Sequence, residues 1–434
     1  MLYVIYATEK FKDLLSKELF QLSSKAKNLQ PVEFVPQTQI NEDNLYTIFD
    51  RANALIIQIN GELKKSLSLL IAARIGGIPV VAINTGKAQF ANKVLRMYPM
   101  SQLKEALLYL NKQVQQYKNP TATLPFKGST LTPEETGLPG QMYYIYSGSQ
   151  SLSQNKNANK LKKRRSIIFY HGITARSVTY YKLLNRLSKD FDMYAIDLPL
   201  HGKSYNPKRI NSLQDITIPA IIATLAILQK HKISLGNTIL MGHSLGASIV
   251  LDFLIKLETA SLLHLTQQYP KAAQIIQYFH KTAYSQRAPA KPYKAVFVTP
   301  TGLPIENNKT LLTVKALFTR VQLISDYLKQ AEAVRKGLSD QVLYSIEKIF
   351  DTPIPILQLT KKLMQIVPAG LKTLPQKRLT TYSHIIFANK DPYFDCEYKL
   401  KYLQLFTNTR LDIVKGYHDF LITHPESLVE IVAE

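Results

Sequence analysis

The run ILMGHSLGASIVLDFL, residues 239–254, is the feature of this 434-residue chain that most constrains its fold. An apolar, strand-like stretch leads into GHSLG, residues 242–246, and a helix-like stretch leads out of it. Side chains two residues before and two residues after the serine of such a tight turn would collide, so glycine suits both positions. The pattern predicts a strained strand-to-helix turn that lifts the hydroxyl of Ser244 clear of a sheet. A plain glycine-containing loop is the alternative, because short motifs also match by chance.

From about residue 142 onward, strand-like and helix-like patterns alternate. Strands are predicted within 142–148, 165–172, 191–204, 293–302, 382–391 and 409–420, and helices within 177–190, 216–231 and 425–433. Such βα repeats are typical of a largely parallel sheet with helices on its faces. Because ligands bind at the carboxyl ends of parallel strands, this arrangement places Ser244 where a substrate would lie.

A separate module is predicted over residues 1–118. Short, β-branched, apolar runs at 2–7, 32–36, 54–59 and 78–84, with a helix at 64–77, indicate a small doubly wound α/β domain, flavodoxin-like or Rossmann-like. Residues 119–141 are rich in Pro, Gly, Thr and Ser and are interpreted as a linker. A basic run at 155–165 is expected in a hairpin loop between the next two strands.

A serine hydroxyl is a weak nucleophile that needs a base, and the base needs an acid to orient it. His418 follows a predicted strand and precedes the last helix, which makes it a better candidate base than His424. Asp391 follows the apolar strand HIIFANK directly and is the candidate acid, with Asp395 as its rival. These positions predict Ser244, Asp391 and His418 as catalytic residues.

Two backbone amides are expected to stabilise the oxyanion that forms during acyl transfer. One belongs to Leu245, which directly follows the serine. The other is expected in the loop after IIFYHG, at Ile173, with His171 and Gly172 shaping that loop. Gly242 and Gly246 shape the turn itself.

Five segments in this order, IIFYHG, YAIDLPLHGKS, MGHSLGASIVLDF, FANKDPYF and GYHDFLITHPE, resemble the successive signatures of the α/β-hydrolase family. The resemblance covers about residues 142–434 and implies an eight-stranded, mostly parallel sheet with a Ser244–Asp391–His418 triad. Ala247 stands where a further glycine often follows the serine turn of this family. Helical inserts are expected at about 255–292 and 303–379, and the second lies where family members carry a lid.

The resemblance implies a serine hydrolase that cleaves an ester-like bond, a carboxylic ester or a thioester, of a small acyl substrate. Lipase, peptidase and acyltransferase chemistry share the same triad and stay open. A different hypothesis is a sensor or defence protein in which the N-terminal module binds a nucleotide-derived signal and regulates the hydrolase. A catalytically dead binding protein is less favoured, because all three triad positions are filled.

The N-terminal module resembles nucleoside 2-deoxyribosyltransferase-like domains in YVIYAT and in DRANALIIQINGELKKSLSLLIAARIGGIPVVAI. Asn53 and Leu69 stand where that family has acidic residues, and Glu62 precedes the helix. The resemblance implies a nucleotide-like ligand at this module without transferase activity.

Composition adds few constraints. A net charge of +23 favours weak association with anionic surfaces, although the lysines are scattered and no nucleic-acid-binding motif accompanies them. The single cysteine excludes an internal disulfide, and the first residues show no signal-peptide pattern, so a cytoplasmic location is expected. We expect neither a metal nor a cofactor.

Overall fold

The computed structural model describes most of the chain in twelve stretches. They are residues 2–6, 8–23, 32–39, 52–60, 70, 79–85, 97–116, 126–147, 164–284, 291–305, 354–423 and 425–433. The described residues form two units, one within residues 1–124 and one within 125–329 and 352–434.

The first unit contains a five-stranded sheet in the order β2-β1-β3-β4-β5, and all its neighbouring strands are parallel. Its elements are β1 (Leu2–Tyr6), α1 (Glu9–Ser23), β2 (Val32–Pro36), β3 (Ala54–Ile59), β4 (Val80–Asn84), β5 (Met97–Pro99) and α2 (Leu103–Gln116). The apolar residues of α1 and α2 pack in one core cluster with β1, β3 and β4. The predicted parallel α/β module is therefore confirmed, while the helix expected at 64–77 lies outside the described residues except for Leu70.

Polar side chains meet at the carboxyl edge of this first sheet. The buried amide of Gln58 accepts a hydrogen bond from the Thr8 amide and lies 2.9 Å from the Thr85 hydroxyl. The strand order reverses between β1 and β3, and a ligand of a parallel sheet binds at such a point. The nucleotide-like ligand of this unit stays a prediction.

The second unit contains an eight-stranded sheet in the order β13-β12-β11-β10-β8-β9-β7-β6. Its strands are β6 (Lys127–Leu131), β7 (Met142–Ser147), β8 (Ser166–Tyr170), β9 (Asp192–Ile196), β10 (Thr238–His243), β11 (Lys294–Val298), β12 (Ser383–Ala388) and β13 (Thr409–Val414). Strands β8 to β13 run parallel, β6 runs in the same direction, and only β7 runs antiparallel to the rest of this sheet. The predicted eight-stranded, mostly parallel sheet is confirmed.

Helices pack against this sheet, and the two longest of them are apolar and buried on nearly every side. They are α3 (Pro133–Thr136), α4 (Tyr181–Leu187), α5 (Gln214–Lys230), α6 (Leu245–Glu258), α7 (Leu265–Gln268), α8 (Ala273–Tyr284), α9 (Ile354–Ile366), α10 (Cys396–Gln404), α11 (Phe420–Thr423) and α12 (Pro425–Ala433). The first predicted insert is helical over its described part, through α7 and α8. In the second, α9 is helical, and residues 306–353 lie outside the described part of the chain. No helix among the described residues is long and apolar enough to cross a membrane.

Two predictions about the region before β8 are wrong. The linker prediction over 119–141 included residues 127–131, which form the edge strand β6 and pair with β7. Residues 133–136 form α3, which begins at a capping box: the Thr132 side chain accepts from the Glu135 amide, and the Glu135 carboxylate accepts from the Thr132 amide. The two strands that flank the basic run do not form a hairpin, because β7 pairs with β9 instead of β8.

Candidate active site

Ser244 lies at the junction of β10 and α6, as the sequence predicts. Its backbone has φ 50° and ψ −115°, a conformation that costs a non-glycine residue about 1–3 kcal/mol. Its amide donates to Val298 in β11, and its carbonyl oxygen accepts from the amide and the hydroxyl of Thr301. The loop after β11 therefore holds the strained turn in place.

Close backbone contacts require glycine at both positions of the turn. A Cβ atom on Gly242 would lie 2.3 Å from the carbonyl oxygen of Gly246. A Cβ atom on Gly246 would lie 2.1 Å from the carbonyl oxygen of Tyr170 in the neighbouring strand. The expected collision across the serine is therefore present, and the small residues let α6 turn back against β8 and β10.

The structure brings Ser244, His418 and Asp391 together. The Nε2 atom of His418 lies 2.9 Å from the Ser244 Oγ atom, and its Nδ1 atom lies 2.8 Å from an Asp391 carboxylate oxygen. Asp391 follows β12 and His418 follows β13, so the parallel strands bring all three side chains to one edge of the sheet. The geometry is that of a nucleophile, a base and an orienting acid.

The rival acid Asp395 has a different role. It is the N-cap of α10, where its carboxylate accepts a 2.8 Å hydrogen bond from the Tyr398 amide. Asp391 has a side chain with no exposed surface, and its second oxygen accepts from the Tyr393 amide. The rival base His424 lies outside the described residues.

The environment of His418 favours its protonated form. Burial lowers the pKa of His418, but the charge and the hydrogen bond of Asp391, together with the charge of Asp419, raise it by more, so the net pKa shift is upward. The rings of Tyr393 and Phe394 lie 4.8 and 5.6 Å from the imidazole and restrict its orientation. No sequence pattern singled out these aromatic residues, which lie two and three positions after the candidate acid.

The residues predicted to form the oxyanion site lie beside the serine turn. A Cβ atom on Gly172 would lie 2.8 Å from the imidazole of His243, so glycine lets the loop after β8 approach the turn. The backbone amides of Ile173 and Leu245 donate no hydrogen bond to any of the residues that the structure describes. Their role as donors to an oxygen of a substrate stays a prediction.

His171 fixes the shape of that loop. Its Nδ1 atom lies 2.8 Å from the Gly172 carbonyl oxygen, and its Nε2 atom accepts from the Leu198 amide. Because a backbone amide can only donate, Nδ1 carries the proton and the ring is neutral. Burial lowers the pKa of His171 to about 3, in agreement with that state.

One group of potential metal ligands occurs among the described residues. Ligand atoms of His243, His418 and Asp419 lie within 4.8 Å of one another. The Nε2 atom of His418 forms a hydrogen bond with the Ser244 hydroxyl, and that of His243 lies 3.1 Å from the His418 carbonyl oxygen. These hydrogen bonds account for the positions of the two histidines, and Asp419 directly follows His418 in the sequence.

Comparisons with known proteins agree with this fold. Residues 165–288 match the model of the family described as alpha/beta hydrolase fold. A curated relative, 2-(acetamidomethylene)succinate hydrolase of Mesorhizobium japonicum, is 39% identical over 83 residues, which are 19% of this chain and 27% of that protein. The matched part thus spans about a quarter of the length of this relative.

Solved structures show a more distant likeness. A 2-hydroxy-6-oxo-6-phenylhexa-2,4-dienoate hydrolase from Rhodococcus sp. strain RHA1 is 10% identical, with a TM-score of 0.48, over 70% of this chain and 98% of that chain. A carboxylesterase from Bacillus subtilis is 16% identical, with a TM-score of 0.44, over 72% of this chain and 91% of that chain. The assignment of the fold rests on the strand order and on the match of residues 165–288.

Proposed function

We propose that this chain, whose second unit has the α/β-hydrolase fold, is a serine hydrolase that cleaves a carboxylic ester or thioester. The observation that carries the proposal is the continuous pair of hydrogen bonds from the Asp391 carboxylate through His418 to the Ser244 hydroxyl, 2.8 and 2.9 Å long. The family match and the hydrolase activity in the name of the curated relative support the reaction class.

In the proposed reaction, His418 removes the proton of Ser244 as the serine oxygen attacks the carbonyl carbon of the substrate. The amides of Ile173 and Leu245 donate to the resulting oxyanion. The tetrahedral intermediate collapses to an acyl-enzyme when His418 returns the proton to the leaving alcohol or thiol. Water then attacks the acyl-enzyme by the same route, and the acid is released. Throughout, Asp391 holds the proton on Nδ1, so that Nε2 stays free to accept.

The experiment that tests this proposal is active-site labelling of the full chain. A fluorophosphonate probe should attach covalently to the peptide that contains Ser244, and the labelled protein should lose its activity on p-nitrophenyl acetate and on an acyl thioester. Mass mapping of the labelled peptide identifies the residue. Absence of labelling together with absence of ester and thioester hydrolysis would contradict the proposal.

The pH dependence of turnover should report the environment of His418. Only its neutral form can accept the serine proton, and its pKa is raised above the ordinary value of 6.5. We therefore expect kcat/KM to rise with pH and to reach half its maximum above pH 6.5. A profile measured on p-nitrophenyl acetate checks this, and a half-maximum below pH 6.5 would contradict the assigned environment.

A further inference from the structure

A chain of buried hydrogen bonds runs behind the proposed triad. The Gly172 amide donates to the Tyr180 hydroxyl oxygen at 3.1 Å. That oxygen lies 2.8 Å from Nδ1 of His243, and Nε2 of His243 lies 3.1 Å from the carbonyl oxygen of His418. Tyr180 and His243 are buried, at 1% exposure each.

The proton positions in this chain follow from its last member. The His418 carbonyl oxygen can only accept, so Nε2 of His243 carries the proton and donates to it. In the neutral ring Nδ1 is then an acceptor, and the Tyr180 hydroxyl donates to it while its oxygen accepts from the Gly172 amide. Every member donates in the same direction, from the loop after β8 towards the loop after β13.

His243 stays neutral in this arrangement. Burial, and next the charge on His418, lower the pKa of His243 to about 4. Its ring lies 5.2 Å from the ring of His418, which becomes positively charged each time it takes the serine proton. A neutral neighbour adds no charge repulsion at that moment, whereas a protonated one would oppose the transfer.

The His418 carbonyl oxygen receives a second hydrogen bond, from the Thr299 hydroxyl at 3.2 Å. Thr299 follows β11, so these hydrogen bonds connect the loops after β8, β11 and β13 with the last residue of β10. Backbone that holds a reacting group within a fraction of an ångström of its productive geometry contributes strongly to the rate.

We infer that Tyr180 and His243 are positioning residues, which fix the backbone of His418 and the loop at Gly172 relative to Ser244. Neither touches the reacting atoms. This inference rests on the proposed function, since it concerns the rate of reaction at Ser244. It assigns a role to the histidine of the GHSLG motif, which the triad does not use.

The test compares two variants that each remove one tyrosine–histidine hydrogen bond. Tyr180→Phe removes the bond to His243, and Tyr144→Phe removes a bond of the same 2.8 Å length to His231. Tyr144 lies in β7, which β8 and β9 separate from β10. Tyr180→Phe should lower kcat for p-nitrophenyl acetate and the rate constant of fluorophosphonate inactivation about tenfold or more, with KM unchanged. Tyr144→Phe should retain wild-type values, and both variants should lose Tm to a similar extent.

A second pair of variants separates the polar role of His243 from its volume. In His243→Gln, the amide group has an acceptor and a donor spaced like the two imidazole nitrogens, so it can keep both hydrogen bonds. In His243→Leu, a side chain of similar volume keeps neither. The glutamine variant should retain most of kcat, and the leucine variant should lose as much as Tyr180→Phe or more.

The outcomes distinguish the inference from the proposed function. Unlabelled, inactive wild-type protein would overturn the proposed function itself. A reactive wild type with equal kcat in Tyr180→Phe and Tyr144→Phe would overturn the inference alone. A raised KM with unchanged kcat in Tyr180→Phe would also overturn it, because that result would indicate substrate binding instead of positioning.

Discussion

Ser244→Ala is expected to abolish covalent labelling and to lower ester turnover by about 10⁴- to 10⁶-fold, the largest effect of any single substitution in this chain. The methyl group of alanine has no oxygen to attack the substrate, and His418 loses the group whose proton it accepts. Only the oxyanion site and substrate binding would contribute to the residual rate. The measurement is kcat/KM on p-nitrophenyl acetate, together with mass detection of the probe adduct.

Ser383→Ala is the matched control for this variant. Ser383 is also a buried serine of the same sheet, and its hydroxyl donates to the Thr381 carbonyl oxygen at the opposite end of β12 from Asp391. The same chemical change there should leave labelling and turnover at wild-type levels. Labelling that persists in Ser244→Ala would show that another nucleophile reacts, and the assignment of Ser244 would be wrong.

Asp391→Asn is expected to lower turnover about 10⁴-fold while the protein stays folded. An asparagine can donate its amide N–H to Nδ1 of His418, which forces the imidazole proton onto Nε2. That nitrogen faces Ser244 Oγ at 2.9 Å and could then no longer accept the serine proton. Steady-state kinetics with a thermal melt of the same preparation separate this effect from unfolding.

Asp395→Asn provides the comparison, because it makes the same change four residues away. Asparagine is as good an N-cap as aspartate, so α10 should keep its cap on the Tyr398 amide and its stability. Turnover should be normal. A fast Asp391→Asn enzyme and a slow Asp395→Asn enzyme would reverse the assignment of the acid.

Much of the fold could be predicted because its signals are local. The strands at 32–36 and 54–59 and the closing helix at 425–433 have the bounds that their apolar patterns predict. The candidate triad could be predicted for a related reason: each of its residues follows a strand within four positions, and parallel strands end at one edge of the sheet. Short-range patterns and one rule of sheet geometry were enough.

The errors concern pairing between distant segments. Strand β6 has the sequence KGSTL, which carries little apolar surface and is half exposed, because an edge strand needs only one partner. Its pairing with β7, and that of β7 with β9 instead of β8, depends on tertiary contacts that no local pattern encodes. The same is true of Tyr180, whose neighbours Gly172 and His243 are 8 and 63 residues away in sequence.

The wide spacing of the reacting residues has a consequence for the order of folding. The hydrogen bond between Ser244 and His418 spans 174 residues, whereas that between Asp391 and His418 spans 27. Contacts between residues this far apart in sequence form late, because closing the intervening loop costs conformational entropy that only the completed contact offsets. The strained turn at Ser244 can therefore form together with β8, β10 and β11 while the serine is still unreactive. A newly synthesised chain would become catalytically active only at the last step, when β12 and β13 pack on the rest of the sheet.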